Sequence, residues 1–89
     1  MDSNETVPAR EMPLYQCDKR VWALKIDQIF SDETGKWLAF AEDGFAPRRL
    51  ADSWFEKHEP QVGGYFVVYK DGYMSYSPGD VFEEGYHAI

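Results

Sequence analysis

Carboxylates, tyrosines and one pair of arginines are the side chains in this sequence whose type and spacing could support chemistry or recognition. The carboxylates come in groups, Glu42 with Asp43, and Asp80 with Glu83 and Glu84. A general acid needs a carboxyl held in a desolvated setting, so that it keeps its proton near neutral pH. These carboxyls fall in polar turns and on helix faces, where water keeps them ionised. They read as a solvated acidic surface rather than an acid–base pair. Ser75 and Ser77 flank Tyr76, without a Gly-x-Ser-x-Gly elbow. The single cysteine, Cys17, excludes an internal disulfide framework. With His58 and His87 it offers no Cys-x-x-Cys, His-x-x-x-His or Asp-x-Asp-x-Asp spacing for a metal. Gly63-Gly64 precedes a strand instead of opening a helix, so it is not a phosphate cradle. The expectation is a protein that is not an enzyme and uses no metal and no cofactor.

Aromatic residues are the one feature in excess, at 17 % of the chain. Tyr65, Tyr69, Tyr73, Met74 and Tyr76 surround the pair Asp71-Gly72. A two-residue turn there pairs Lys70 with Tyr73, Tyr69 with Met74, and Val67 with Tyr76. That register puts Tyr65, Val67, Tyr69, Met74 and Tyr76 on one face, and Phe66, Val68, Tyr73 and Ser75 on the other. Tyrosine is amphipathic and favoured at interfaces. The tyrosine face is therefore either core with hydroxyls at its rim, or a surface for a partner or ligand. With Asp80, Glu83 and Glu84 these residues form the candidate partner- or ligand-binding set. Arg48-Arg49 is a basic doublet of the folded part and a candidate anion contact, against the alternative of a plain solvated pair.

The elements that must position these residues are short. Val21 to Phe30 alternates, with Trp22, Leu24, Ile26 and Phe30 on one face and Ala23, Lys25 and Asp27 on the other; Gln28 marks a bulge or an exposed end. A polar turn over 31–35 leads to a second strand, Lys36 to Glu42. Asp43-Gly44 and Asp71-Gly72 each read as a two-residue hairpin turn with positive φ at both central positions. A helix is expected from Asp52 to His58, capped by Asp52 or Ser53 and ended by Pro60. A second follows Ser77-Pro78 as cap and first residue, with Gly85 at its end. The fold class is α+β, a small antiparallel sheet built from two Asp-Gly hairpins with two short helices. Trp22, Leu24, Ile26, Leu38, Phe40, Phe66, Val68, Trp54 and Phe82 are its expected core. At an offset of 28 positions Trp54 matches Phe82 and His58 matches Tyr86, an arrangement open to a weak duplication or to chance.

The 89 residues suit one domain, read as a polar, disordered tail expected over 1–12 and a single α+β domain over 13–89. The net charge of −7 argues against nucleic-acid binding, because neutralising phosphates needs a basic face. Residues 59–89 carry five acids and one base and form the acidic pole, which favours basic or neutral partners. No apolar run approaches the roughly 20 residues of a membrane span, and the first residues do not resemble a secretory signal.

The run GYFVVYKDGYMSYSPGDVFEEGY over 64–86, with Val21-Trp22-Ala23-Leu24-Lys25-Ile26 and Lys57-His58-x-Pro60-x-Val62-Gly63-Gly64-Tyr65, resembles a family of small proteins of tailed bacteriophages and prophages. The resemblance implies the cytoplasm of a bacterial host and a role in counter-defence or host takeover. It supplies no catalytic residues. The expected function is a non-enzymatic binding protein that modulates or inhibits a host protein through its acidic, tyrosine-rich surface. Two alternatives remain open at this point. One is an oligomeric sponge for a small nucleotide signal, with tyrosines stacking a base and Arg48 and Arg49 meeting phosphates. The other is a virion or assembly component. A homodimer fits either binding role.

Overall fold

The alternating stretch from Val21 belongs to the longest strand, and every other part of the sheet is arranged around it. The computed structural model describes residues 12–16 and 20–88. Cys17, the side chain of His87 and the tail up to Glu11 lie outside the described residues. In chain order the elements are β1 (Leu14–Gln16), β2 (Arg20–Asp32), β3 (Gly35–Phe40), β4 (Arg48–Leu50), α1 (Asp52–His58), β5 (Tyr65–Val68), β6 (Met74–Ser77), α2 (Gly79–Gly85) and β7 (His87–Ala88). All pairings are antiparallel, and the fold is α+β as expected. β2 is paired by β1 over Arg20–Trp22, by β5 over Trp22–Lys25, and by β3 from Ile26 onward. β4 lies outside β3, β7 outside β1, and β6 outside β5.

The β2–β3 register shifts between Ile26 and Gln28, where Gln28 interrupts the apolar pattern. One extra residue reverses the alternation downstream. Phe30 was expected on the face of Trp22, Leu24 and Ile26, and the structure corrects this. Ile29 pairs with buried Leu38, whereas Phe30 pairs with Trp37 and stacks on it at 6.1 Å on the opposite face.

Both faces of the sheet are apolar, and each helix covers one. Leu24, Ile26, Leu38, Phe66 and Val68 pack with Met12, Leu50 and Phe55, and with half-buried Trp22, Phe40 and Trp54. Met12 thus belongs to the core, one residue before the expected domain boundary. On the other face Val21, Ala23, Tyr65 and Val67 pack with Phe82. Phe82 therefore serves a second core, not the one shared by the other expected residues. The sheet needs this cover because Val21 and Ala23 are fully buried on the face opposite Leu24.

α1 spans the expected residues, but its cap is Ala51 without a side-chain bond; it ends at Glu59, which takes φ 47° ahead of Pro60. α2 begins at Gly79 behind Pro78, and Ser77 closes β6 instead of capping the helix. The rings of Trp54 and His58 lie 4.9 Å apart in α1, and those of Phe82 and Tyr86 lie 4.6 Å apart at α2, so the matched positions repeat one contact.

Gly44 and Gly72 both have φ of 91°, the sign expected. The turn type differs. Asp43 and Asp71 keep negative φ, since Glu59 is the one non-glycine with positive φ among the described residues. Gly72 N–H donates to Tyr69 O at 2.8 Å and Tyr69 N–H donates to Tyr73 O at 3.0 Å. This is a three-residue loop, a turn over 69–72 closed by a left-handed glycine at a bulge. Asp43-Gly44 sits within the longer 41–47 connection between β3 and β4. The tight two-residue turn is Glu33-Thr34, where Asp32 Oδ1 accepts from Thr34 N, Thr34 Oγ1, Gly35 N and Trp37 Nε1.

Candidate binding surface at the hairpin tip

The three-residue loop moves the pairing of β5 and β6 by one position, and this decides the fate of the tyrosines. Val68 pairs with Met74, Val67 with Ser75, and Phe66 with Tyr76. Met74 and Tyr76 therefore share the face of Phe66 and Val68, half-buried against the first core. Tyr65 and Tyr69 belong to the opposite face, with Val67 and Phe82. The single tyrosine face expected over Tyr65, Tyr69, Met74 and Tyr76 does not form. A one-residue change of loop length exchanges the faces of one strand relative to the other.

Each tyrosine then has its own role. Tyr65 is buried, stacks on Phe82 at 4.2 Å, and donates its hydroxyl proton to Glu83 Oε2 at 2.8 Å. Lys25 Nζ reaches the same oxygen at 3.2 Å. The Tyr65 and Lys25 bonds, with the Lys25 charge, hold the Glu83 carboxyl below its usual range. Glu83 is thus a tie between α2 and the sheet. The Tyr76 ring lies directly over Gly64, where a Cβ would overlap it; a Cβ at Gly79 would meet the carbonyl of Gly63. This close approach explains Gly64, and a φ of 92° explains Gly63.

Tyr73 is the exposed tyrosine of the hairpin, at 44 % of its surface. It stacks on Tyr69 at 6.0 Å and accepts a hydrogen bond from Lys57 Nζ at 3.0 Å, with the ammonium 5.4 Å from its ring. His58 meets it edge-on at 6.3 Å. Burial, and then the Lys57 charge, keep the His58 imidazole below its usual pKa. Trp54 Nε1 donates to Met74 O at 3.1 Å, so the end of α1 clasps the hairpin. A hollow of about 400 Å³ opens beside the tip, lined by Arg20, Tyr69, Lys70, Asp71 and Tyr73. On α2, Asp80 and Glu84 are exposed with Val81, which shows 59 % of its surface.

Arg48 and Arg49 do not act together. They are neighbours in a strand, so their side chains leave on opposite faces. Arg48 lies over the Phe66 ring at 5.5 Å, with Nη2 3.6 Å from Met74 Sδ. Arg49 donates to Thr34 O at 3.4 Å, in the turn between β2 and β3. The sequence reading missed Arg20, Lys57 and His58 as neighbours of the tip. Lys57 and His58 had a signal, since they stand one turn beyond Trp54 and so overhang whatever Trp54 covers.

Among the described residues no group of three or more His, Cys, Asp or Glu side chains is placed to hold a metal ion. No helix among them is long and apolar enough to cross a membrane. Compared with protein-family models, with curated proteins and with solved structures, the chain has no match.

Proposed function

We propose that this chain is a non-enzymatic binding protein whose partner is a protein, engaged by the tip of the β5–β6 hairpin together with the exposed acidic side of α2. The observation that carries the reading is the Tyr73–Tyr69 stack beside the 400 Å³ hollow. A rigid aromatic pair next to a concavity loses little entropy on binding, and Arg20, Lys70 and Asp71 supply polar contacts at its rim. Asp80 and Glu84 add exposed negative charge on α2, which suits a basic or neutral partner surface. The buried or tied groups, Tyr65, Tyr76 and Glu83, have structural roles and drop out of the contact set. Resemblance to phage proteins makes a bacterial host protein the partner to seek, with counter-defence or host takeover as the role.

The nucleotide sponge is less favoured, because Arg48 and Arg49 diverge and neither lines the tyrosine hollow. The test is quantitative capture from host lysate with the wild-type chain and with a Tyr73→Ser, Asp80→Lys, Glu84→Lys variant. All three positions are exposed, so circular dichroism should show an unchanged fold. The expected result is one enriched host protein, lost with the variant and released at about 0.5 M salt, where charges are screened within a few ångströms. Equal capture by the folded variant would refute the assignment.

A further inference from the structure

A second hollow, of about 240 Å³, lies on the first-core side beneath the 41–47 connection. Leu24, Phe40 and Phe66 form its sheet wall, and Phe45 and Pro47 come from the connection. Arg48 is the charged side chain on its lining among the described residues. We infer that this hollow binds a small carboxylic acid with an apolar body, the carboxylate on Arg48 and the body against Phe40, Phe45 and Phe66.

The argument begins with the donors. A guanidinium carries five N–H groups in a planar fork. Among the described residues Arg48 finds a ring face and one thioether sulfur, a weak acceptor, and no carboxylate lies within ion-pairing distance. Arg48 is half-buried, so its fork is held in place by Phe66 and Met74 instead of sweeping through solvent. A pre-oriented fork with unused donors matches the two oxygens of a carboxylate. A phosphate fits less well, because the other side chains on the lining are aromatic or aliphatic and offer its remaining oxygens no donor. The volume sets the size. It falls below the roughly 300–1,000 Å³ of sites for drug-sized ligands, so the occupant is a short fatty acid or a small aryl acid. This site is separate from the hairpin hollow and does not depend on the partner proposed above.

The experiment uses octanoate as probe on the full chain. Binding is read by thermal shift and by the Arg48 Nε–H resonance in a ¹⁵N-labelled sample. Octanoate should raise the melting temperature saturably and move the Arg48 resonance. Octan-1-ol, acetate and inorganic phosphate should each bind at least about tenfold more weakly, since each lacks one half of the recognition. Arg48→Gln should cost at least about tenfold in octanoate affinity, while Arg49→Gln leaves it unchanged. If Arg48→Gln fails to fold, Arg48→Lys takes its place, and it should bind octanoate more weakly than wild type. The inference is overturned if wild type shows no saturable octanoate binding. It is equally overturned if octan-1-ol binds as tightly, or if the Arg48 resonance stays still at saturation.

Discussion

Replacing Phe82 with alanine should release α2 from the sheet. Phe82 is the one buried residue of this seven-residue helix, and it stacks on Tyr65 at 4.2 Å and on Tyr86 at 4.6 Å. Burying a phenylalanine removes about 150–250 Å² from water. At about 25 cal/mol/Å² this is worth about 4–6 kcal/mol, an upper bound because the unfolded chain already hides part of that surface. Large-to-small changes at such sites cost about 3–5 kcal/mol. A helix this short has no stability of its own. The first core, on the other side of the sheet, does not contain Phe82. The loss should therefore appear first as local release, with rapid hydrogen exchange at the amides of Phe82 and Tyr86, which bond Pro78 O and Phe82 O. Amides of Leu24 and Phe66 should stay protected longer. A urea titration should show the midpoint falling by about 3 kcal/mol equivalent or more, a large part of the roughly 5–15 kcal/mol available to a domain. A loss under about 1 kcal/mol, with the Phe82 and Tyr86 amides still protected, would refute the reasoning that this one ring anchors the helix.

Gly64→Ala should destabilise the fold by about 1–3 kcal/mol, because the new methyl overlaps the Tyr76 ring; the urea midpoint measures it, and Tyr76→Ala in the same chain should recover part of the loss. Gly72→Val should cost about 1–3 kcal/mol, since a β-branched residue is forced to φ near 91°, and the same assay checks it. Asp32 and Glu83 have carboxyl pKa values lowered by the hydrogen bonds they accept. Their contribution is complete above the ordinary carboxylate range near pH 4 and is lost as pH falls through their lowered values. Asp32→Asn should therefore flatten the acid side of a stability–pH curve. His58 is also lowered, by burial and Lys57, so its contribution is present above its ordinary value of 6.5 and lost as pH falls below that; His58→Phe should remove this slope.

Where neighbouring residues decide an element, the sequence announced it. α1 was legible to the residue because Pro60 stops it and Trp54 and Phe55 mark its buried side. The bulge was legible because Gln28 interrupts an apolar alternation, and the positive φ of Gly44 and Gly72 follows from their place after aspartate. Three things were hidden. Asp-Gly suits both a two-residue loop and a three-residue loop with a terminal bulge, and these differ by one position of register, which separates Tyr65 and Tyr69 from Met74 and Tyr76. The second buried face rests on Val21 and Ala23, whose small size gives no amphipathic contrast beside Trp22 and Leu24. β1, β4 and β7 have two or three residues each, too few for any periodicity. The candidate surface was legible in its place, at the Asp71-Gly72 hairpin, but not in its members. Burial removed Tyr65, tight packing on Gly64 removed Tyr76, and long-range packing of α1 brought in Lys57 and His58.

That β2 is paired by three strands has a kinetic consequence. The β2–β3 hairpin closes over Glu33-Thr34 and forms on the microsecond scale of local hairpins. Its other half must wait, because Val68 reaches Trp22 only after the intervening loop, helix and turn have been drawn together. Until β5 arrives, the backbone edge at Trp22–Lys25 lacks its partner and Val21 and Ala23 have no helix above them. The rate-limiting barrier should therefore contain the β2–β5 pairing. Truncations such as Val67→Ala should slow refolding, and Leu50→Ala, at the far edge of the sheet, should mainly speed unfolding. A chain caught before that step shows a sticky edge to any neighbour, so crowding the refolding mixture should trade yield for intermolecular pairing.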